Sequence, residues 1–206
     1  MNKFYCTLLL LVLNGLISCK TTKGIETMNT TDTALVELAK VLSENNPLVL
    51  SRVQLFINDK SSYFKTYNEE LYQRGIESKI ELRKAIALVD SLEFHNYSVG
   101  SDFDTEGDEV LLSLDKLSNH TLSANQCFFD LVDSYRAVAN YNAIGNFLFN
   151  SKLAPMPYFC IDKAGYKLAS IDADTDSYDF ILVKNEQRFQ IENLSKKAGI
   201  NIIFFE

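Results

Sequence analysis

Apolar residues recur at every third or fourth position through most of the first half of the chain, starting at Asp32. This spacing places them on one face of an α-helix. The first such run contains Leu35, Leu38, Ala39 and Leu42, and the sequence Asn-Asn-Pro at 45–47 ends it. The same spacing predicts helices over 48–58, 62–73 and 78–92. The N-terminal half is therefore expected to be mainly helical.

Strand patterns become frequent in the second half of the chain. A short strand is predicted between 94 and 103, and helices follow over 110–117 and 124–149. Three further strands are predicted at 158–162, 166–172 and 178–183, with turns at 163–165 and 173–175. Asn185 then caps a last helix that ends at Gly199, and a strand follows over 200–205.

This order of elements predicts an α+β fold. A helical N-terminal half precedes a small, mostly antiparallel sheet, and the chain finishes with the order strand, strand, helix, strand. We expect the helices to cover one face of the sheet, and we expect residues 32–206 to form a single domain.

The first nineteen residues have the composition of a bacterial export signal. Lys3 precedes an apolar run that Asn14 and Gly15 interrupt, well before the roughly 20 residues that a membrane-spanning helix needs. Residues 16–19, Leu-Ile-Ser-Cys, resemble the lipobox of bacterial lipoproteins, whose cysteine is acylated and becomes the first residue of the mature chain. The resemblance implies that 1–18 are removed and that Cys19 carries fatty acids such as palmitate. The alternative is an ordinary secretory signal with an incidental cysteine.

Polar residues follow the predicted lipidation site, and we interpret 19–31 as the lipidated cysteine and a flexible tether. Position 20 is Lys, whereas an Asp there would resemble an inner-membrane retention signal. The sequence also lacks the acidic run that marks surface-exported lipoproteins. We therefore expect the lipid to hold the protein in the inner leaflet of the outer membrane, facing the periplasm.

The charge balance of the chain is acidic. It contains 27 Asp and Glu against 20 Lys and Arg, so the formal net charge is −7, and this becomes −8 when Lys3 leaves with the signal. Nucleic acid is excluded as a partner, because phosphate binding depends on clustered basic residues. The negative charge fits a basic protein partner or a cation, and it fits solubility alone equally well.

Two of the four cysteines remain for the folded body once Cys6 and Cys19 are assigned to the signal and the anchor. Cys127 lies in a helical pattern and Cys160 in a strand pattern. A disulfide between them would require their Cα atoms to lie within about 7 Å, and a periplasmic location would permit it. We favour two buried free thiols and keep the disulfide as the alternative.

Two groups of carboxylates alternate with other residues in the manner of the first ligands of a calcium loop. One group consists of Asp102, Asp104, Glu106 and Asp108, and the other of Asp172, Asp174 and Asp176. Neither has the glutamate expected at the twelfth loop position, where Ser113 and Val183 stand, so an EF-hand is excluded.

Polar turns and helix capping explain both acidic groups most simply. If the two groups met at one sheet edge, their carboxylates would repel each other and would need a basic partner or a metal. The predicted metal ligands are then Asp102, Asp104, Asp172, Asp174 and Asp176. A divalent cation is the one cofactor that these residues suggest, and otherwise we expect none.

The sequence Gly-Tyr-Lys-Leu-Ala-Ser-Ile-Asp at 165–172 continues through Asp-Thr-Asp-Ser-Tyr at 174–178 to the apolar residues 181–183. This segment resembles the C-terminal signature of a bacterial family known as domain of unknown function 6630. Residues 69–104 are similar to the upstream part of the family, notably Glu-Leu at 70–71 and Arg-Gly-Ile at 74–76. The resemblance covers roughly 50–205, and it departs at 104, where this chain has Asp and the family tends to have a basic residue. It supports the fold and implies no chemistry.

No catalytic constellation is recognisable in the sequence. His95 and His120 are the only histidines, and neither has a triad or zinc-site spacing. We therefore expect a non-catalytic, membrane-anchored binding domain that presents an acidic surface to an unidentified protein partner. Immunity against a toxin is one example of this class. The alternative is a cation-dependent enzyme or calcium-binding protein that uses the acidic residues of 102–108 and 172–176.

Overall fold

Short helices make up most of the fold. The computed structural model describes residues 29–101, 105, 107–137 and 157–206. Within these residues, the first five helices are α1 (Thr30–Leu42), α2 (Pro47–Asn58), α3 (Lys60–Thr66), α4 (Asn68–Gln73) and α5 (Lys84–Phe94). The later helices are α6 (Gly107–Leu117), α7 (Gln126–Ala137), α8 (Pro157–Lys163) and α9 (Arg188–Ala198). A 3-10 turn, Asn185–Gln187, precedes α9.

Side-chain caps fix where the first helices begin. The side chain of Asn29 accepts a hydrogen bond of 2.8 Å from the backbone N–H of Asp32, so α1 begins at Thr30, two residues before the predicted domain boundary at 32. Asn46 accepts a hydrogen bond from the N–H of Leu48, and the proline that follows Asn46 occupies the first turn of α2, where its missing N–H costs nothing.

The sheet has four strands and is antiparallel throughout the described residues. The strands are β1 (Val99–Ser101), β2 (Tyr166–Asp172), β3 (Tyr178–Lys184) and β4 (Asn201–Phe204). Their order across the sheet is β1-β3-β2-β4, so the hairpin of β2 and β3 forms the centre. The α+β class, the helical N-terminal half and the antiparallel sheet predicted from the sequence are confirmed.

Helices pack against both faces of this sheet. Alternate residues of the central strands face a core formed with α1, α2, α5 and α9, and these residues are Ala169, Ile171, Ile181 and Val183. The neighbouring residues Leu168 and Phe180 face a second core, formed with α6, α7 and α8. The sequence predicted helices on one face only. The second helical layer is an addition, and it explains why both faces of β2 and β3 are apolar.

Residues 158–162 were predicted as a strand, and this prediction is wrong because they lie in α8. Buried positions in this segment are Pro157, Cys160 and Ile161, whereas Phe159 is exposed, which is the spacing of a helix. The predicted helix over 62–73 is interrupted at Tyr67, and the predicted helix over 78–92 begins only at Lys84.

Among the described residues, no helix has both the length and the apolar character needed to cross a lipid bilayer. The predicted signal segment 1–18, the lipidation site Cys19 and most of the tether lie outside the described residues.

Candidate functional site

A cleft of about 750 Å³ opens between the connection from α4 to α5, the end of β1 and the turn from β2 to β3. Six of its lining residues carry carboxylates, and these are Glu70, Glu81, Asp90, Glu93, Asp174 and Asp176. Two carry guanidinium groups, Arg74 and Arg83. Because carboxylates outnumber cations in its lining, we call it the acidic cleft.

Arg74 connects the acidic cleft to the sheet behind it. It caps the C-terminus of α4, and Gly75 follows with a φ of +74°, a left-handed conformation that glycine adopts without strain. The Nη1 atom of Arg74 lies 3.1 Å from Oδ1 of Asp179, whose side chain is fully buried on β3. The same guanidinium forms an ion pair with Glu93 of α5. One cation therefore holds two carboxylates from different elements.

Gly100 on β1 makes room for this ion pair. A Cβ atom at position 100 would lie 2.7 Å from Oε1 of Glu93, closer than van der Waals contact allows. The absence of a side chain therefore lets the Glu93 carboxylate lie against the strand, within reach of Arg74.

The mouth of the acidic cleft is crossed by an ion pair between Arg83 and Asp174. Arg83 precedes α5, and Asp174 lies in the turn from β2 to β3 with a φ of +60°. The carboxylate of Asp172 accepts a hydrogen bond of 3.0 Å from the backbone N–H of Asp174 and one of 3.1 Å from the side chain of Asn201. These bonds fix the turn and hold Asp174 at the mouth.

Asp90 lines the acidic cleft and also belongs to a buried ion pair. Oδ2 of Asp90 accepts a hydrogen bond of 2.5 Å from Nη2 of Arg52 and another from the hydroxyl of Tyr63. The Arg52 guanidinium lies between two aromatic rings, 3.7 Å from the centroid of Tyr67 and 4.5 Å from that of Phe94. Such stacking on ring faces stabilises a buried guanidinium.

The pKa values of Arg52 and Tyr63 in this buried group are both shifted upward. Burial alone lowers the pKa of Arg52, but electrostatic interactions and hydrogen bonds with Asp90 and Tyr63 together outweigh burial and raise it. Burial and the neighbouring charge of Asp90 both raise the pKa of the Tyr63 hydroxyl, which therefore remains a hydrogen-bond donor. The pair therefore remains charge-paired and hydrogen-bonded next to the cleft wall.

Three carboxylates of the acidic cleft make no ion pair within the described part of the chain. Glu70 and Asp176 have none, and Glu81 accepts hydrogen bonds from the N–H of Glu77 and the hydroxyl of Ser78, which lower its pKa. Ionised carboxylates lining a concave surface reinforce one another's negative potential. The acidic cleft is therefore suited to attract a cation or a basic side chain.

The predicted metal ligands are only partly covered by the structure. Asp102 and Asp104 lie outside the described residues. Asp172 stabilises the turn, Asp174 pairs with Arg83, and Asp176 lines the acidic cleft. Among the residues that are described, no three His, Cys, Asp or Glu side chains converge as metal ligands would. For the C-terminal acidic group, the described contacts are those of a polar turn.

The pairing of β1 with β3 brings the residues next to the two acidic segments to one end of the sheet. Ser101, the last residue of β1, pairs with Tyr178, which begins β3 two positions after Asp176. The C-terminal acidic turn and the end of β1 therefore lie at the same end of the sheet, and both contribute to the acidic cleft.

Cys127 and Cys160 are joined by a disulfide, with their Cα atoms 5.6 Å apart. The sequence favoured two free thiols, and it placed Cys160 in a strand. The structure instead places Cys160 in α8, where it packs against α7. The bond therefore links two neighbouring helices of the second core.

Neither histidine lines the acidic cleft. His120 is exposed, and its Nδ1 lies 2.8 Å from Oδ2 of Asp115. The hydroxyl of Ser118 donates a hydrogen bond to the carbonyl of Asp115 and accepts one from the N–H of Leu122, so it serves the turn after α6. His95 follows α5, with its ring against that of Phe94.

Sequence analysis missed the residues that organise the acidic cleft, although part of the signal was present. Asp90 and Asp179 each stand within an apolar run, and Arg52 does so in α2. A charged residue at a buried position requires a partner of opposite charge. These positions could have indicated that each charge needs a buried partner, but the pairing of Arg74 with Asp179 spans 105 residues and could not be read from the local pattern.

A family model matches residues 34–146, and its description is domain of unknown function (DUF6630). The match includes 69–76, which carried part of the resemblance, and the cleft residue Arg74, whereas the segment 165–183 lies beyond it. Comparison with curated proteins and with solved structures gives no match. Because the family model spans more than half of the chain, the protein belongs to the DUF6630 family.

Proposed function

We propose that the protein is a lipid-anchored, non-catalytic binding domain whose acidic cleft receives a basic group of a protein partner. The observation that carries the proposal is the lining of the cleft, which contains six carboxylates and two guanidinium groups. Three of these carboxylates, Glu70, Glu81 and Asp176, form no ion pair with the described residues. A concave site with this charge excess raises the local concentration of cationic groups and steers them towards it.

The support for the anchor comes from the sequence and from the cysteines. Leu-Ile-Ser-Cys at 16–19 resembles a lipobox, and the acyl chains on Cys19 would hold the protein in the inner leaflet of the outer membrane. The disulfide between Cys127 and Cys160 fits an oxidising compartment such as the periplasm. The tether would then present the acidic cleft to periplasmic proteins.

Cys19→Ala tests the anchor. The variant should lose incorporation of labelled palmitate and leave the membrane fraction of the cell envelope, because it has no acylation site. Cys6→Ala is the matched control, since it removes a cysteine from the same segment and should remain membrane-bound. Equal membrane association of both variants would contradict the anchor.

Cross-linking in intact cell envelopes tests the partner. The double variant Glu70→Gln/Asp176→Asn removes two cleft charges that have no ion-pair partner in the described chain, and it should lose cross-linked products that the wild type forms. Glu69→Gln/Glu186→Gln changes the net charge equally at exposed positions outside the cleft and should keep them. Identical product patterns for the two double variants would contradict binding at the acidic cleft.

A further inference from the structure

An internal guanidinium already occupies the mouth of the acidic cleft. Arg83 forms an ion pair with Asp174 across 91 residues of sequence, and the two side chains are 61% and 71% exposed. The guanidinium of Arg83 makes no other ion pair with the described residues. The contact shows that the geometry of Asp174 accepts a guanidinium group.

This contact is easy to exchange. Exposed ion pairs contribute at most about 1 kcal/mol, because water screens the charges and both side chains lose freedom. The backbone at Asp174, by contrast, is held by the hydrogen bond from its N–H to Asp172, which does not depend on Arg83. The mouth therefore combines an acid on a fixed backbone with a weakly held internal cation.

We infer that Arg83 is an internal substitute for the ligand, and that an arginine side chain of the partner displaces it from Asp174. The inference rests on the proposed function and specifies the ligand chemistry. Once Arg83 swings away, Glu70, Glu81 and Asp176 supply further negative charge around the incoming group. Phe94, 56% exposed, contributes an aromatic surface to the same cleft, and aromatic rings favour the planar guanidinium over an ammonium group.

Displacement makes Arg83 an inhibitory residue. A ligand must compete with Arg83 for Asp174. The observed dissociation constant therefore exceeds the intrinsic one by a factor set by how strongly the Arg83–Asp174 ion pair is favoured over its broken form. For an exposed ion pair this factor is about three to five. Removing Arg83 should therefore strengthen binding, which is the opposite of what loss of a ligand-contacting residue does.

The test uses the full chain in neutral detergent and a fluorescein-labelled peptide of four arginines, measured by fluorescence anisotropy at low salt. The same peptide with citrulline in place of arginine is the control probe, because it keeps the planar shape without the charge. We expect binding of the arginine peptide, much weaker binding of a four-lysine peptide, and none of the citrulline peptide.

Arg83→Gln should lower the dissociation constant of the arginine peptide about threefold to fivefold. Lys79→Gln changes the net charge equally from an exposed position outside the cleft lining, and it should change the constant less than about twofold. Asp174→Asn keeps a residue that tolerates a positive φ. Added to Arg83→Gln, it should abolish the gain.

The outcomes separate the two proposals. If neither the wild type nor Arg83→Gln binds the arginine peptide, binding of basic groups at the cleft is overturned, and the inference fails with it. If both bind but Arg83→Gln gains no more affinity than Lys79→Gln, only the inference that Arg83 takes the place of the ligand is overturned. A gain that survives in the double variant with Asp174→Asn overturns it as well, because the gain would then not depend on Asp174.

Discussion

The guanidinium of Arg74 lies 3.1 Å from the carboxylate of Asp179, which has no exposure to solvent. The two residues are 105 positions apart, and their contact fastens the segment after α4 to the centre of the sheet. Removing the cation from a buried ion pair is costly, because the carboxylate that remains is shielded from water.

Replacing Arg74 by Met should therefore lower the free energy of unfolding by about 3 kcal/mol, since it breaks an ion pair with a buried member. Urea unfolding followed by circular dichroism measures this loss. Arg83→Gln removes an exposed guanidinium from the same cleft and should cost less than about 1 kcal/mol. Similar losses for the two variants would show that Asp179 does not depend on Arg74.

Gly100→Ala should destabilise the fold by about 1 kcal/mol, because the new methyl group would overlap the Glu93 carboxylate. In a Glu93→Ala background the obstacle is gone, so the same substitution should cost close to nothing. A double-mutant cycle of urea unfolding measures the coupling between the two positions. Additive costs would mean that the close approach is not what requires glycine at 100.

Reducing the disulfide between Cys127 and Cys160 should lower the free energy of unfolding by about 3 to 4 kcal/mol, according to the loop-entropy estimate for its sequence separation of 33 residues. Thermal unfolding with and without a phosphine reductant shows the effect as a lower Tm. The variant Cys127→Ala/Cys160→Ala should unfold at one temperature in both conditions. An unchanged Tm of the wild type in the presence of the reductant would contradict an intact disulfide.

Burial, followed by the charge of nearby Arg52, holds the pKa of His95 below its ordinary value of 6.5, although Asp90 opposes the shift. The unfolded chain therefore binds a proton at His95 more readily than the folded chain does. As the pH falls below about 6.5, this difference removes stability, and the loss levels off below the folded-state pKa.

His95→Gln should accordingly show a shallower loss of stability than the wild type between pH 7 and the onset of carboxylate titration. Urea unfolding at a series of pH values measures the slope, and the difference between the two proteins isolates the histidine. Parallel curves would indicate that folding leaves the proton affinity of His95 unchanged.

Regular periodicity made much of the fold predictable. The helical spacing of Leu35, Leu38 and Leu42 identified α1, and apolar strand patterns bounded by turn residues placed β2 and β3 to within one residue. The segment that became α8 failed because four consecutive apolar residues satisfy a strand pattern and a helix pattern equally. The apolar spacing continues across the break at Tyr67, so the sequence predicted one helix where the structure has two.

The acidic cleft was predictable only in part. Asp174 and Asp176 were singled out as a charged group next to a strand, and they do line a concave site. Their relation to Arg83 depends on how the start of α5 packs near the turn from β2 to β3, which no local pattern specifies. The same is true of Arg74, whose two carboxylate partners come from α5 and β3.

The first helix of the described chain packs along the last one, since α9 lies against α1. During synthesis, the apolar face of α1 therefore remains without its final neighbour until nearly all of the chain has been made. The central strands also arrive late, and β4 joins the sheet last of all. Contacts between segments so far apart in the sequence form slowly, because the intervening chain must first be ordered. A chain that has not yet formed them is still unfolded, and only an unfolded chain can be threaded through a narrow pore.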